Sequence, residues 1–181
     1  MKKIVGLFDG IDKVMSIIAS FTLFVMMVWI FLDVTLRYFF NSPIQGTIEL
    51  TGEYLMVLLV YLAISQTQKH DEHVRVTFLE EKFSEKMKKV TKFITNILAA
   101  PFFLFIAYLN LQEGLEYLEQ NIKSVGVLDY PLAPALFIIS VGLLMIGLRL
   151  IIECVAILFP KLIAPSTIMK PVDDEDINMP V

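Results

Sequence analysis

Few residues in this 181-residue chain could do chemistry, and their spacing limits what that chemistry could be. The only histidines, His70 and His73, stand three apart beside Asp71 and Glu72. Two imidazoles in such a charged loop could hold a metal, but a metal site needs further ligands in defined geometry. Cys154 is the single cysteine, so it forms no internal disulfide and no thiolate cluster, and no histidine accompanies it in the apolar segments to activate it as a nucleophile. Those segments also lack histidine for a haem, and no glycine-rich phosphate loop is present. The expectation is a protein that is not an enzyme and holds no cofactor or metal. The remaining candidates are charges at the ends of apolar runs: Asp33 with Arg37, Glu49 with Glu53, and Arg149 with Glu153. Each pair is four residues apart, hence on one helix face. Such pairs neutralise themselves and help packing, contact another membrane subunit, or belong to an ion pathway. A pathway needs polar groups at successive depths, and Asn96, Asn110, Gln66 and scattered hydroxyls are joined by no chain of acids across the midplane. Ser16 and Ser20, four apart, offer small surfaces for close helix approach.

The elements that carry these residues follow from the distribution of charge. The chain is 56% hydrophobic and 19% charged, against roughly 25% charged in soluble domains. Residues 14–32, 54–68, 93–112 and 130–148 contain no Asp, Glu, Lys or Arg. These lengths approach the ~20 residues that cross a bilayer as a helix. The second is extended towards residue 50 by accepting Glu53 near the membrane edge. The prediction is an all-α integral membrane protein, one membrane domain over 1–181, with spans at about 12–38, 50–68, 90–113 and 131–155. Lys2 and Lys3 before an apolar run suggest a signal peptide, but the run is long and leads into Asp33-Val-Thr-Leu-Arg37, so it is read as an anchor. Pro101 predicts a bend in the third span. Pro131 and Pro134 suit the start of the fourth, where missing amide donors cost little.

Thirteen of the fifteen basic residues fall at the two ends of the chain and in the second connection; only Arg37 and Lys123 fall on the other side. By the positive-inside rule both termini are expected in the cytoplasm. A net charge of −4 does not suit nucleic acid. In the second connection Val76, Leu79, Phe83, Met87 and Val90 recur at spacings of three and four, predicting a cytoplasmic amphipathic helix at about 74–90, lying on the lipid bilayer or on a partner. The acidic tail, about 165–181, is expected to be flexible. On the outer side, Asn41, Ser42, Pro43 and Gly46 signal a turn after Tyr38, Phe39 and Phe40, and Glu113, Glu116 and Glu119 line a helix extended past the bilayer.

In their order and spacing, Arg37-Tyr-Phe-Phe-Asn41, Glu49-Leu, Glu53-Tyr, His73-Val-Arg-Val76 and Asp129-Tyr-Pro131 resemble the small membrane subunit of tripartite ATP-independent periplasmic (TRAP) transporters. The resemblance covers nearly the whole chain, except for the acidic tail. It implies a sodium-coupled secondary transporter of organic anions, of C4-dicarboxylate or sialic acid type, in three parts. A periplasmic substrate-binding protein captures the anion, a large membrane subunit moves it with sodium, and the small subunit packs on the static part of the large one. Sodium then belongs to the large partner. Asp33, Arg37, Glu49, Glu53, Arg149 and Glu153 become candidates for subunit contact or packing, and Asn41, Glu113, Glu116 and Glu119 for the periplasmic docking surface. Two other classes compete: a self-assembling four-span channel or exporter, and a membrane anchor of another complex. Against the channel stand scattered polar positions, and against an oxidoreductase anchor the lack of histidine in the spans.

Overall fold

The computed structural model describes residues 2–69 and 84–158, and within them the fold is all-helical. Helix α1 spans Lys2–Phe40. A short α2, Thr47–Leu50, runs into a π-helical turn, Thr51–Leu55, which continues as α3, Met56–Lys69. Helix α4 spans Glu85–Glu119 and α5 Ala133–Leu158. Four candidate spans, Gly6–Phe40, Thr47–Gln68, Met87–Glu119 and Ala133–Leu158, are long and apolar enough to cross a membrane. Residues 85–90 form the first turns of α4 and so join the third span, capped by Ser84, whose hydroxyl accepts the Met87 N–H. The rest of the expected amphipathic segment, both histidines and the acidic tail lie outside the described residues.

Asparagine ends two of the long helices. Asn41 and Asn121 have φ of 49° and 51°, the left-handed conformation that stops a helix. After Asn121 the Ile122 N–H returns to the Tyr117 carbonyl at 3.0 Å, satisfying an acceptor that the end of α4 would otherwise leave open. Helix α4 continues through Pro101.

The helices stand in the order α1, α3, α5, α4, each packing most extensively on its neighbours in that row. Half of α5's span is buried, against 6% for the second span; both are inner members of the row, but α5 packs far more extensively, above all on α4. Small side chains set how closely these helices approach. A β-carbon added at Gly142 would strike the Tyr61 backbone carbonyl. Further along, Ala100, Ile146 and Leu150 form a core with Ile64, Ala99 and Phe103. The Ser140 hydroxyl donates to the Ala107 carbonyl at 2.7 Å, tying α5 to α4.

Helix α1 packs on α3 through one stripe. Asp12, Met15, Ala19, Thr22, Met26, Trp29 and Asp33 alternate in steps of three and four and are buried or half-buried, whereas Phe21, Phe24, Met27 and Phe31 are exposed. Ala19, not Ser20, provides the close approach; Ser20 is exposed. The stripe carries an acid at each end, and the two are 21 residues apart in sequence. At 1.5 Å per residue they are separated by about 31 Å, close to the ~30 Å hydrocarbon thickness of a bilayer.

Replacing Gly142 by Val should force α3 from α5 at a site with no room for adjustment, costing about 1–3 kcal/mol. A thermal unfolding midpoint in detergent below that of the parent chain checks this; an unchanged midpoint would contradict the packing.

Candidate functional site

Charge in this molecule gathers in two layers, one at each end of the apolar stretches, labelled inner where Arg149 stands and outer where Asp33 stands. In the inner layer Arg149, 1% exposed, extends from α5 towards α1. Its Nη1 donates to Asp9 Oδ1 at 2.7 Å and to Asp12 Oδ2 at 3.3 Å, and its Nε comes to 4.0 Å from Glu153 Oε1. Asp12 is fully buried. One turn along α5, Glu153 accepts from Gln68 Nε2 of α3 at 3.2 Å and from Asn96 Nδ2 of α4 at 3.0 Å, with Lys92 Nζ at 3.7 Å. All four long helices thus meet through five charged side chains and two amides. The residues involved lie where the charge-free stretches stop, so the cluster marks the inner edge of the apolar slab. It also places the described beginning of α1 and the end of α5 on the same side.

In the outer layer Asp33 accepts from Arg37 Nη2 at 2.9 Å and, through its other oxygen, from the Ile44 N–H at 2.8 Å. It thereby holds the α1–α2 turn against its own helix. Glu49 accepts the Val127 N–H at 3.0 Å, and Tyr130 OH donates to Glu53 Oε2 at 2.7 Å. The Tyr54 hydroxyl donates to the Pro131 carbonyl, and the two tyrosine rings meet edge to face at 5.2 Å. Glu53 and Tyr54 lie in the π-helical turn, so the irregular turn is the part of the second span that grips the α4–α5 connection. Burial and the bond to Glu53 raise the Tyr130 phenol above its ordinary value of 10.0. The neutral phenol is the form the fold keeps, so the contact contributes fully below pH 10 and is lost at higher pH as a second anion forms beside Glu53.

The structure joins the sequence-derived residues differently from simple i, i+4 pairs. Asp33 and Arg37 do pair, and Arg37 stays half exposed. Glu49 and Glu53 reach across to the α4–α5 connection. Arg149 is bound chiefly by Asp9 and Asp12, and being almost wholly enclosed it has no surface to offer another subunit. Glu113, Glu116 and Glu119 are exposed on the outer extension of α4, where Glu116 accepts from Gln120. Asn41 serves as the stop of α1. Sequence reasoning missed Asp9, Asp12, Gln68, Lys92, Asn96 and Tyr130 as partners. The available signal was depth: each lies at the edge of a charge-free stretch, as its partner does. Among the described residues no group of three or more His, Cys, Asp or Glu could hold a metal.

Arg149→Leu should take the guanidinium away from the buried Asp12 and the half-buried Asp9 and cost about 3–5 kcal/mol. Adding Asp9→Asn and Asp12→Asn to that variant should recover part of the loss. Thermal unfolding in detergent reads both effects; full independence of the substitutions would contradict the cluster. Tyr130→Phe should reduce the loss of stability expected of the parent chain above pH 10, read in the same assay.

No solved structure matches the chain. A stretch of 88 residues is 35% identical to a TRAP transporter small permease protein of Haemophilus influenzae, covering 49% of this chain and 54% of that relative. A second TRAP transporter small permease protein of the same organism is 28% identical over 111 residues, 61% of this chain and 67% of the relative. The chain therefore spans about half the length of the first of these relatives and two thirds of the second. The family described as tripartite ATP-independent periplasmic transporters, DctQ component, matches residues 26–159, which hold the last part of α1 and all of the outer layer and α3 to α5. The chain belongs to the DctQ family of TRAP transporter components.

Proposed function

We propose that this chain is the small permease subunit of a three-part secondary transporter in the bacterial inner membrane. It stabilises and widens the scaffold of a large membrane subunit and helps dock a periplasmic substrate-binding protein. The observation that carries the reading is the family match over 26–159 on a chain whose charges gather at the two ends of four spans. Between the inner and outer layers the apolar stretches carry no charge. The buried hydroxyls of Thr22 and Ser140 are used on the helix carbonyls of Ile18 and Ala107. Sodium and substrate would pass through the large partner, and this chain would need no cofactor. The substrate class is an organic anion of C4-dicarboxylate or sialic acid type.

The layer containing Arg149 is assigned to the cytoplasmic side, because Lys13, Lys88, Lys89 and Lys92 stand at that end of the helices, while among the described residues Arg37 and Lys123 are the basic ones at the other end. Exposed Phe21, Phe24, Met27 and Phe31 on α1, and Phe102 and Phe105 on α4, provide apolar faces for lipid and for the large subunit.

Co-expression with the large subunit tests the role. Tagged small subunit should recover its partner from detergent. Vesicles holding both should take up organic anion with sodium and the binding protein, and omission of this chain should abolish uptake. Full uptake without it would overturn the reading.

A further inference from the structure

The α4–α5 connection is held firmly yet displays apolar side chains to water. Lys123 and Pro131 bridge its two sides. Ser124 N–H donates to the Tyr130 carbonyl at 2.9 Å, Leu132 N–H to the Ile122 carbonyl at 3.2 Å, and Glu49 takes the Val127 N–H from across the bundle. A β-carbon on Gly126 would collide with the Glu49 carboxylate, so the loop lies directly against α2. At the tip, Val125 is fully exposed and Val127 is 63% exposed; Ile48, next to Glu49 in the chain, is 80% exposed. A mobile loop could fold such side chains away. This one is clasped at its base and pinned at its tip, so the valines stay outward.

We propose that Val125 and Val127 form a docking knob for a soluble protein whose surface offers an apolar recess bordered by basic side chains. Two observations select that occupant over lipid. Both valines lie in the connection between the third and fourth candidate spans, outside each of them. The charges on this side are mostly acidic: Glu49, Asp129, Glu113, Glu116 and Glu119 stand against Arg37 and Lys123. Anionic headgroups would be repelled, and a basic protein rim attracted. The inference rests on the docking role proposed above and assigns it to the knob, with the acidic residues as its rim.

The test uses the two-subunit complex in lipid nanodiscs and the purified substrate-binding protein. The double variant Val125→Asp, Val127→Asp should keep its elution profile and unfolding midpoint but weaken binding about tenfold or more, as for central apolar contacts elsewhere. The photo-crosslinker p-benzoylphenylalanine in place of Val125 should capture the binding protein. Unchanged affinity, or capture of lipid or a second copy alone, would overturn the knob while leaving the docking role standing if the parent complex binds. A parent complex that does not bind would overturn both.

Discussion

A charged group at the edge of a hydrocarbon slab must find its counter-charge there, and this requirement fixes how the four helices stand. Asp12 and Asp33 bound the buried stripe of α1 at a separation matching the thickness of the slab. Each is held by an arginine, Arg149 from α5 at the inner end and Arg37 from the same helix at the outer end. Sliding α1 by one turn would move both acids about 5.4 Å along the axis, pulling Asp12 from Arg149. The inner cluster thus sets the register of α1, which packs laterally mainly on α3 and on the turns preceding it.

The same constraint shapes what the chain can do. With charge kept to the two ends, the slab between them is a row of close-packed apolar helices. Glycine and alanine bring α5 against both neighbours, and the row leaves broad apolar faces on its flanks. Such an arrangement is suited to being held against another membrane protein and to presenting an outer surface. That surface is built with care: three carboxylates, two tyrosines and a π-helical turn fasten the α1–α2 and α4–α5 connections to one another. A scaffold subunit needs this more than it needs a binding site of its own.

Much of this was legible in the sequence. Four charge-free stretches gave four spans, because charge at mid-bilayer is costly whatever the tertiary context. The Asn41 turn and the helix start at Pro134 followed from local backbone preferences, whereas Pro131 stands before the helix, bridged to Lys123. What escaped were the partners across helices. Arg149 and Glu153 looked like a pair because they are four apart, but Asp9 and Asp12 compete for the same guanidinium from a helix 140 residues away, and Gln68, Asn96 and Lys92 converge on Glu153. Spacing along one helix reports only intrahelical neighbours. The grip of Glu49 and Glu53 on Val127 and Tyr130 depends likewise on how the connections cross, which no local pattern encodes. The small-residue approach was misplaced for a related reason: Ser16 and Ser20 had the right spacing, but the stripe set by Asp12 and Asp33 runs through Ala19.

The central claim is that this chain is a fixed holder whose internal packing does not change as substrate moves. A disulfide offers a direct test, because a β-carbon at Gly114 would lie 3.3 Å from Leu136 Cβ, joining α4 to α5, near the spacing such a bond needs. In a Gly114→Cys, Leu136→Cys variant with Cys154→Ser, uptake by the reconstituted transporter should be the same oxidised and reduced. Loss of uptake on oxidation, restored by reductant, would show that these helices move during transport and would contradict the account.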